Sequence, residues 1–163
     1  MPADTQVQRN AGPAICLPAD IDTDVVIAGR YLRTKDRSLW AAHVFEDLDP
    51  EIAPRLQGAV IIAGKNFGCG SSREQAPLAI KEAGVVAIIA PSFARIFFRN
   101  AINIGLPLIE SDITCADGIP VRFSLDEGWV EARGERRPIK PLSHRMQDIL
   151  AAGGLVDYWR AHR

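Results

Sequence analysis

Three apolar segments separated by two helical ones predict an α/β domain built on a central parallel sheet. Residues 59–63, 85–90 and 106–110 are the strand candidates, apolar on both faces, as a helix-covered sheet requires. Residues 75–83 and 91–104 read as the intervening helices, stopped by Gly84 and Gly105. Strands alternating with helices imply right-handed crossovers. A length of 163 residues fits one domain. Residues 1–12 are expected to form a polar, disordered tail and residues 13–163 the domain.

The other elements flank this centre. Residues 14–17 are a short strand candidate. Asp20, Asp22 and Asp24 then place carboxylates at alternate positions. A calcium loop would need Gly at its sixth position and Glu at its twelfth, where this chain has Val25 and Tyr31. Residues 29–34 are polar and turn-like. Residues 38–45 read as a helix, ended by residues 47–50 ahead of Pro50, and residues 51–56 as one more turn. After Asp112, residues 120–125 and 129–133 flank Asp126, Glu127 and Gly128, a hairpin signal. Residues 142–151 form a helix up to Gly153 and Gly154, and residues 155–161 a last short one. Phe93, Phe97 and Phe98 share one predicted helix at core-packing spacing. Arg95 and Arg99 fall on another of its faces and are expected in solvent. His43 is expected on the surface of its helix.

Composition narrows the function classes. Apolar residues make up 47% and charged residues 24%, ordinary for a soluble globule. A net charge of −1 gives no strong field toward nucleic acid or a membrane, so neither is an expected partner. No apolar stretch has transmembrane length, and residues 1–10 lack the apolar core of a signal peptide. Cys16, Cys69 and Cys115 are scattered and odd in number, which suits a reducing cytoplasm and makes a poor zinc site.

The segment 64–74, Gly-Lys-Asn-Phe-Gly-Cys-Gly-Ser-Ser-Arg-Glu, carries the chemistry. It joins a strand to a helix. Gly64, Gly68 and Gly70 let the backbone bend tightly and approach a ligand. Ser71, Ser72 and Arg73 follow, where backbone N–H groups near a helix start are unpaired and suit a small carboxylate or phosphate. The segment fits neither a Walker loop nor a dinucleotide fingerprint. Ser71 and Glu74 have capping-box spacing, the plain structural alternative. Pro77 opposes it, because with Ser71 as N-cap the proline would sit too deep in the helix. A later helix start leaves Ser71, Ser72 and Arg73 in the loop.

The same segment resembles the signature of the small subunit of 3-isopropylmalate dehydratase, in the aconitase superfamily. The resemblance runs through residues 20–27, 29–32, 45–50, 91–97 and 99–107, covering most of residues 14–110. It implies a swivelling β/β/α domain with a central parallel sheet covered by helices and a C-terminal hairpin plus helices. It also implies that the chain holds no cofactor itself. An iron–sulfur cluster is expected on a separate large subunit, the partner, whose iron acts as a Lewis acid on the substrate.

By motif position the resemblance makes Ser71 the catalytic base and Asp24 the support of an acid–base histidine of the partner. Arg73 and Ser72 would bind the substrate, a small 2-hydroxy diacid, over a loop backbone opened by Gly68 and Gly70. Arg33, in the loop that faces the variable part of the substrate, would influence specificity. The implied reaction moves a hydroxyl between neighbouring carbons of isopropylmalate, in leucine synthesis. The alternatives are a homoaconitase or 2,3-dimethylmalate dehydratase small subunit and, from another class, a non-catalytic anion-binding module.

Overall fold

The computed structural model describes residues 10–162. Its strands are β1 (Ala11–Leu17), β2 (Val60–Ala63), β3 (Ala87–Ala90), β4 (Leu108–Glu110), β5 (Pro120–Ser124), β6 (Trp129–Ala132) and β7 (Glu135–Pro138). They form one sheet in the order β4-β3-β2-β1-β5-β6-β7. The first four are mutually parallel, with Ile15 opposite Ile61 and Ile61 opposite Ile88. β1 then pairs antiparallel with β5, and β5, β6 and β7 continue as a meander. The helices are α1 (Thr23–Val26), α2 (Arg37–Ala42), α3 (Gln75–Glu82), α4 (Arg95–Asn103), α5 (His144–Ala152) and α6 (Leu155–Ala161).

Strand periodicity sorts the core into two layers. Ile61 and Ala63 of β2 point with Ile88 of β3 into a core shared with Ala76, Ala79 and Ile80 of α3 and Phe97 of α4. Val60 and Ile62 point the other way, into a core shared with Val121, Phe123 and Val130 of the meander. Helices therefore cover one face of the parallel strands, and the meander covers the other. This is a layered β/β/α arrangement. The expected helix cover holds for one face only, because the hairpin extends by a third strand and folds across the second.

Other boundaries move for local reasons. β1 begins at Ala11, since Ala11 and Gly12 pair with Arg122 and Val121; the remainder of the expected tail, residues 1–9, lies outside the described residues. α4 begins at Arg95 rather than at Pro91. Phe93 is extended and bridges Phe67, so it packs from the loop, while Phe97 packs from the helix. His43 ends α2, half-buried, its ring stacked on Tyr31 at 4.2 Å. Among the described residues no helix is long and apolar enough to cross a membrane.

Candidate active site

The segment 64–74 leaves the carboxyl end of β2, at the edge where open α/β sheets present their loops to ligands. Its neighbours there are the segment after β1 and the extended stretch before α4. Backbone bonds stitch the three together. Asp20 N donates to Lys65 O at 2.8 Å, Gly68 N to Ile21 O at 2.8 Å, and Thr23 N to Cys69 O at 2.9 Å. On the other side Ala94 N donates to Phe67 O at 2.9 Å. Phe67 is fully buried and meets the rings of Phe45, Phe93 and Phe97 edge-on, so an aromatic floor lies under the loop.

The alternating carboxylates are now accounted for singly. Asp20 Oδ1 accepts from Asn66 Nδ2 at 3.0 Å. Asp22 Oδ1 caps α1 by accepting from Asp24 N at 2.8 Å. Asp24 Oδ1 pairs with Arg73 Nη2 at 2.7 Å. The glycines are required where side chains press close. Gly68 has φ +85°, and a Cβ there would collide with Phe97; Gly70 has φ +88°, and a Cβ would collide with the Asp22 carboxylate.

α3 starts at Gln75. Its N-cap, Glu74, makes no side-chain capping bond, so the capping box does not form and Pro77 falls in the first turn, where its missing N–H costs nothing. Ser71 and Ser72 stay exposed in the loop. Arg73 lies across them. Its Nε donates to Ser71 Oγ at 3.3 Å, Nη2 meets Asp24, and Nη1 is buried without a hydrogen-bond partner. The buried Nη1 lies against Gly29, while the rest of the guanidinium borders the loop hydroxyls, where its charge suits an anionic ligand.

These groups border a cleft of about 290 Å³, lined by Thr23, Gly68, Gly70, Ser71, Ser72 and Arg73 on the loop side and by residues 94–97 and Asn100 on the α4 side. Ser71, Ser72, Arg73, Gly68, Gly70 and, through Arg73, Asp24 are thus brought together. Arg33 is not: it is exposed, ahead of α2, and does not line the cleft.

Three contributors had no site role in the sequence reading, which expected Arg95 in solvent. Thr23 is almost wholly buried, and its hydroxyl donates to Ser71 O at 2.7 Å, fixing the serine's backbone. Arg95 and Asn100 line the cleft. Only the position of Thr23 between two motif aspartates could have signalled the first; the other two depend on where α4 begins.

The turn Gly29–Tyr31 abuts Arg73, with space beside Gly29 for its guanidinium. Behind it, Glu46 accepts from Tyr31 Oη at 2.7 Å and from Arg30 Nη2 at 3.1 Å, and also contacts His43. The Tyr31 hydroxyl first, then His43 and Arg30, hold the Glu46 carboxyl down to about 2, from an ordinary value of 4.5. A depressed carboxyl contributes stability above its ordinary range and loses it as pH falls. The melting temperature of the wild type should therefore drop more steeply from pH 4.5 to about 2 than that of Glu46→Gln. Parallel melting curves would remove Glu46 from the acid response.

The thiols make poor cluster ligands. Burial pushes Cys16 up to about 11 and raises Cys69 and Cys115, with Asp22 and Asp20 adding to the rise at Cys69. Among the described residues no three His, Cys, Asp or Glu side chains converge to hold a metal. The donor set among the described residues does not fit an iron–sulfur cluster.

Residues 19–112 match the model of the aconitase C-terminal domain. The chain belongs to this family. It is similar to the 3-isopropylmalate dehydratase small subunit of Moorella thermoacetica, 54% identical over 85% of this chain and 87% of that one. It is 52% identical to the methanogen homoaconitase small subunit of Methanothermobacter thermautotrophicus, over 86% of this chain and 84% of that one. The crystal structure of a 3-isopropylmalate dehydratase from Methanocaldococcus jannaschii superposes with a TM-score of 0.88 at 43% identity, covering 94% of each chain.

Proposed function

We propose that this chain is the small subunit of a hydro-lyase that isomerises 2-isopropylmalate to 3-isopropylmalate, the isomerisation step of leucine synthesis in the cytoplasm. The observation that carries the reading is Arg73 in the cleft, joined to Asp24 and Ser71 with one buried nitrogen unpaired. A guanidinium so arranged suits a substrate carboxylate, and the neighbouring hydroxyls of Ser71 and Ser72 suit its other oxygens. The cluster that completes the reaction belongs to the large subunit, and no step on this chain runs through it.

Ser71 Oγ is the proton acceptor. Dehydration takes a proton from the carbon beside a carboxylate and hydroxide from its neighbour; rehydration returns the two in exchanged positions. A serine hydroxyl is a weak base in water. Here the Arg73 Nε–H donor directed at Oγ stabilises the alkoxide. Asp24 holds Arg73 in register and faces outward, 59% exposed, where it is available to the partner's histidine.

On the far wall of the cleft Ala94, Ile96 and Phe97 offer apolar surface to a branched aliphatic substituent, beside the polar Arg95 and Asn100. The second reading, homocitrate, draws on the 52% identical homoaconitase relative and on Arg33, whose guanidinium fork would suit an extra carboxylate. The test is kcat/KM of the chain reconstituted with its large subunit against isopropylmalate, homocitrate and dimethylmalate, for wild type and Arg33→Val. Isopropylmalate should lead, and Arg33→Val should change it by less than about threefold, since no hydrogen bond is lost. A lead for homocitrate that Arg33→Val selectively abolishes, by about tenfold to a hundredfold, would hand the assignment to homoaconitase. No turnover of any member by the pair would return the chain to the non-catalytic class.

A further inference from the structure

Two more clefts adjoin the one that holds Ser71, and all three share Arg95 at the start of α4. One, of about 380 Å³, runs between α4 and the N-terminus of α5 over Phe93, Phe98, Leu142 and Met146. The other, of about 440 Å³, continues along the same two helices past Arg99 and Arg145 to Ile149. Together they make a trough with an apolar floor. Its outer end is marked by Trp159 of α6, 53% exposed, with the Arg145 guanidinium 5.9 Å from the ring centroid.

The unpaired charge along this trough is of one sign. Among the described residues Arg95, Arg99 and Arg145 form no ion pair. Glu110, the acidic residue at its rim, is paired with Lys140 at 3.3 Å. Asp148, on the turn after Arg145, is exposed and lines neither cleft. Three free guanidiniums over an apolar floor suit a segment with carboxylates beside aliphatic or aromatic side chains. A second copy of this chain fits poorly. Two-fold pairing through the trough would set arginines against arginines.

We propose that this α4–α5 trough docks an acidic, apolar-bearing segment of the large subunit, which the shared Arg95 aligns with the reaction cleft. The proposal rests on the functional reading above, since it takes its partner from there. Arg95 lines both the trough and the reaction cleft, so a segment seated in the trough reaches the edge of that cleft.

The test titrates the large subunit from the same organism, prepared with its cluster under exclusion of oxygen, into the full chain at about 50 mM and about 300 mM salt. Wild type should bind more weakly at the higher salt. Arg99→Glu/Arg145→Glu, neither of which lines the reaction cleft, should raise Kd at least about tenfold at low salt and flatten the salt dependence. Arg136→Glu, on β7, should bind as wild type. If the charge-reversed chain melts early, Arg99→Gln/Arg145→Gln replaces it, with an expected rise of about threefold or more.

Unchanged binding by the double variant overturns the proposal, as does equal weakening by Arg136→Glu. Light scattering that shows a wild-type dimer dissolved by the double variant assigns the trough to a second copy and overturns it too. Failure of wild type to bind any large subunit removes the functional reading along with it. Assembly and turnover with unchanged binding by the double variant removes the docking surface alone.

Discussion

Ser71→Ala should lower kcat of the reconstituted pair by about a hundredfold to ten-thousandfold, the usual cost of losing a general base. The same change should barely alter the melting temperature of the isolated chain. Both halves follow from where the loop ends. Ser71 Oγ caps no helix, because α3 starts at Gln75 behind a Glu74 that makes no side-chain cap. Its one hydrogen bond is the 3.3 Å contact from Arg73 Nε at an exposed position, worth at most about 0.5 kcal/mol. The serine's place in the fold is held instead through its backbone carbonyl by Thr23, which alanine keeps. A capping serine would behave in the opposite way, losing about 1 kcal/mol of stability and no turnover. Unfolding and single-turnover assays on one preparation separate the cases. Retained turnover with lowered stability would end the assignment of Ser71 as the base.

Much of this was legible in the chain because the governing interactions are local. β2, α3, β3, α4 and β4 lie within a residue or a turn of their expected places, since apolar runs and the stops at Gly84 and Gly105 act over a few residues. The late start of α3 was legible from Pro77 alone. β7 was not: no strand was expected over the charged residues Glu135, Arg136 and Arg137, and it is fixed by pairing with β6, where Arg136 meets Glu131 at 3.1 Å and stacks on Trp129 at 3.7 Å. The first turn expected of α4 was lost for a similar reason. Phe93 forgoes the helix because a bridge to Phe67, far away in sequence, holds it extended.

The site divides along the same line. The groups proposed to react sit in one contiguous string, Gly68 to Arg73, and a string can be read. What orients them comes from residues that only folding brings near. Asp22 and Thr23 reach the loop from the end of β1, while Arg95 and Asn100 of α4 line the cleft beside it. The motif 20–24 fails the calcium-loop pattern on paper, but what its alternate carboxylates do is ambiguous until their partners are known. In place, one holds an asparagine, one caps a helix and one holds an arginine.

Arg73→Lys is the sharper trial of that arrangement, because it keeps the charge and removes the fork. Arg73 uses three nitrogens in three directions: Nη2 to Asp24, Nε to Ser71 Oγ, and Nη1 into a buried, unpaired position. A lysine ammonium is a single point on a flexible stem and cannot serve all three at once. Stability should change by less than about 1 kcal/mol, since the Asp24 carboxylate is well exposed and such pairs contribute little to folding. Catalysis should suffer far more. Losing the donor to Ser71 raises the energy of the alkoxide, and losing the planar fork loosens the substrate carboxylate. Each charged hydrogen bond is worth about 1.5–3 kcal/mol, so kcat/KM should fall by about a hundredfold to a thousandfold or more. The division of that loss is informative. If the fork both holds substrate and supports the base, KM rises and kcat falls together. A rise in KM alone would leave Arg73 as a carboxylate clamp with no part in activating Ser71. A variant as active as wild type would show that charge without geometry suffices, and the fork arrangement at Asp24 and Ser71 would lose its catalytic meaning.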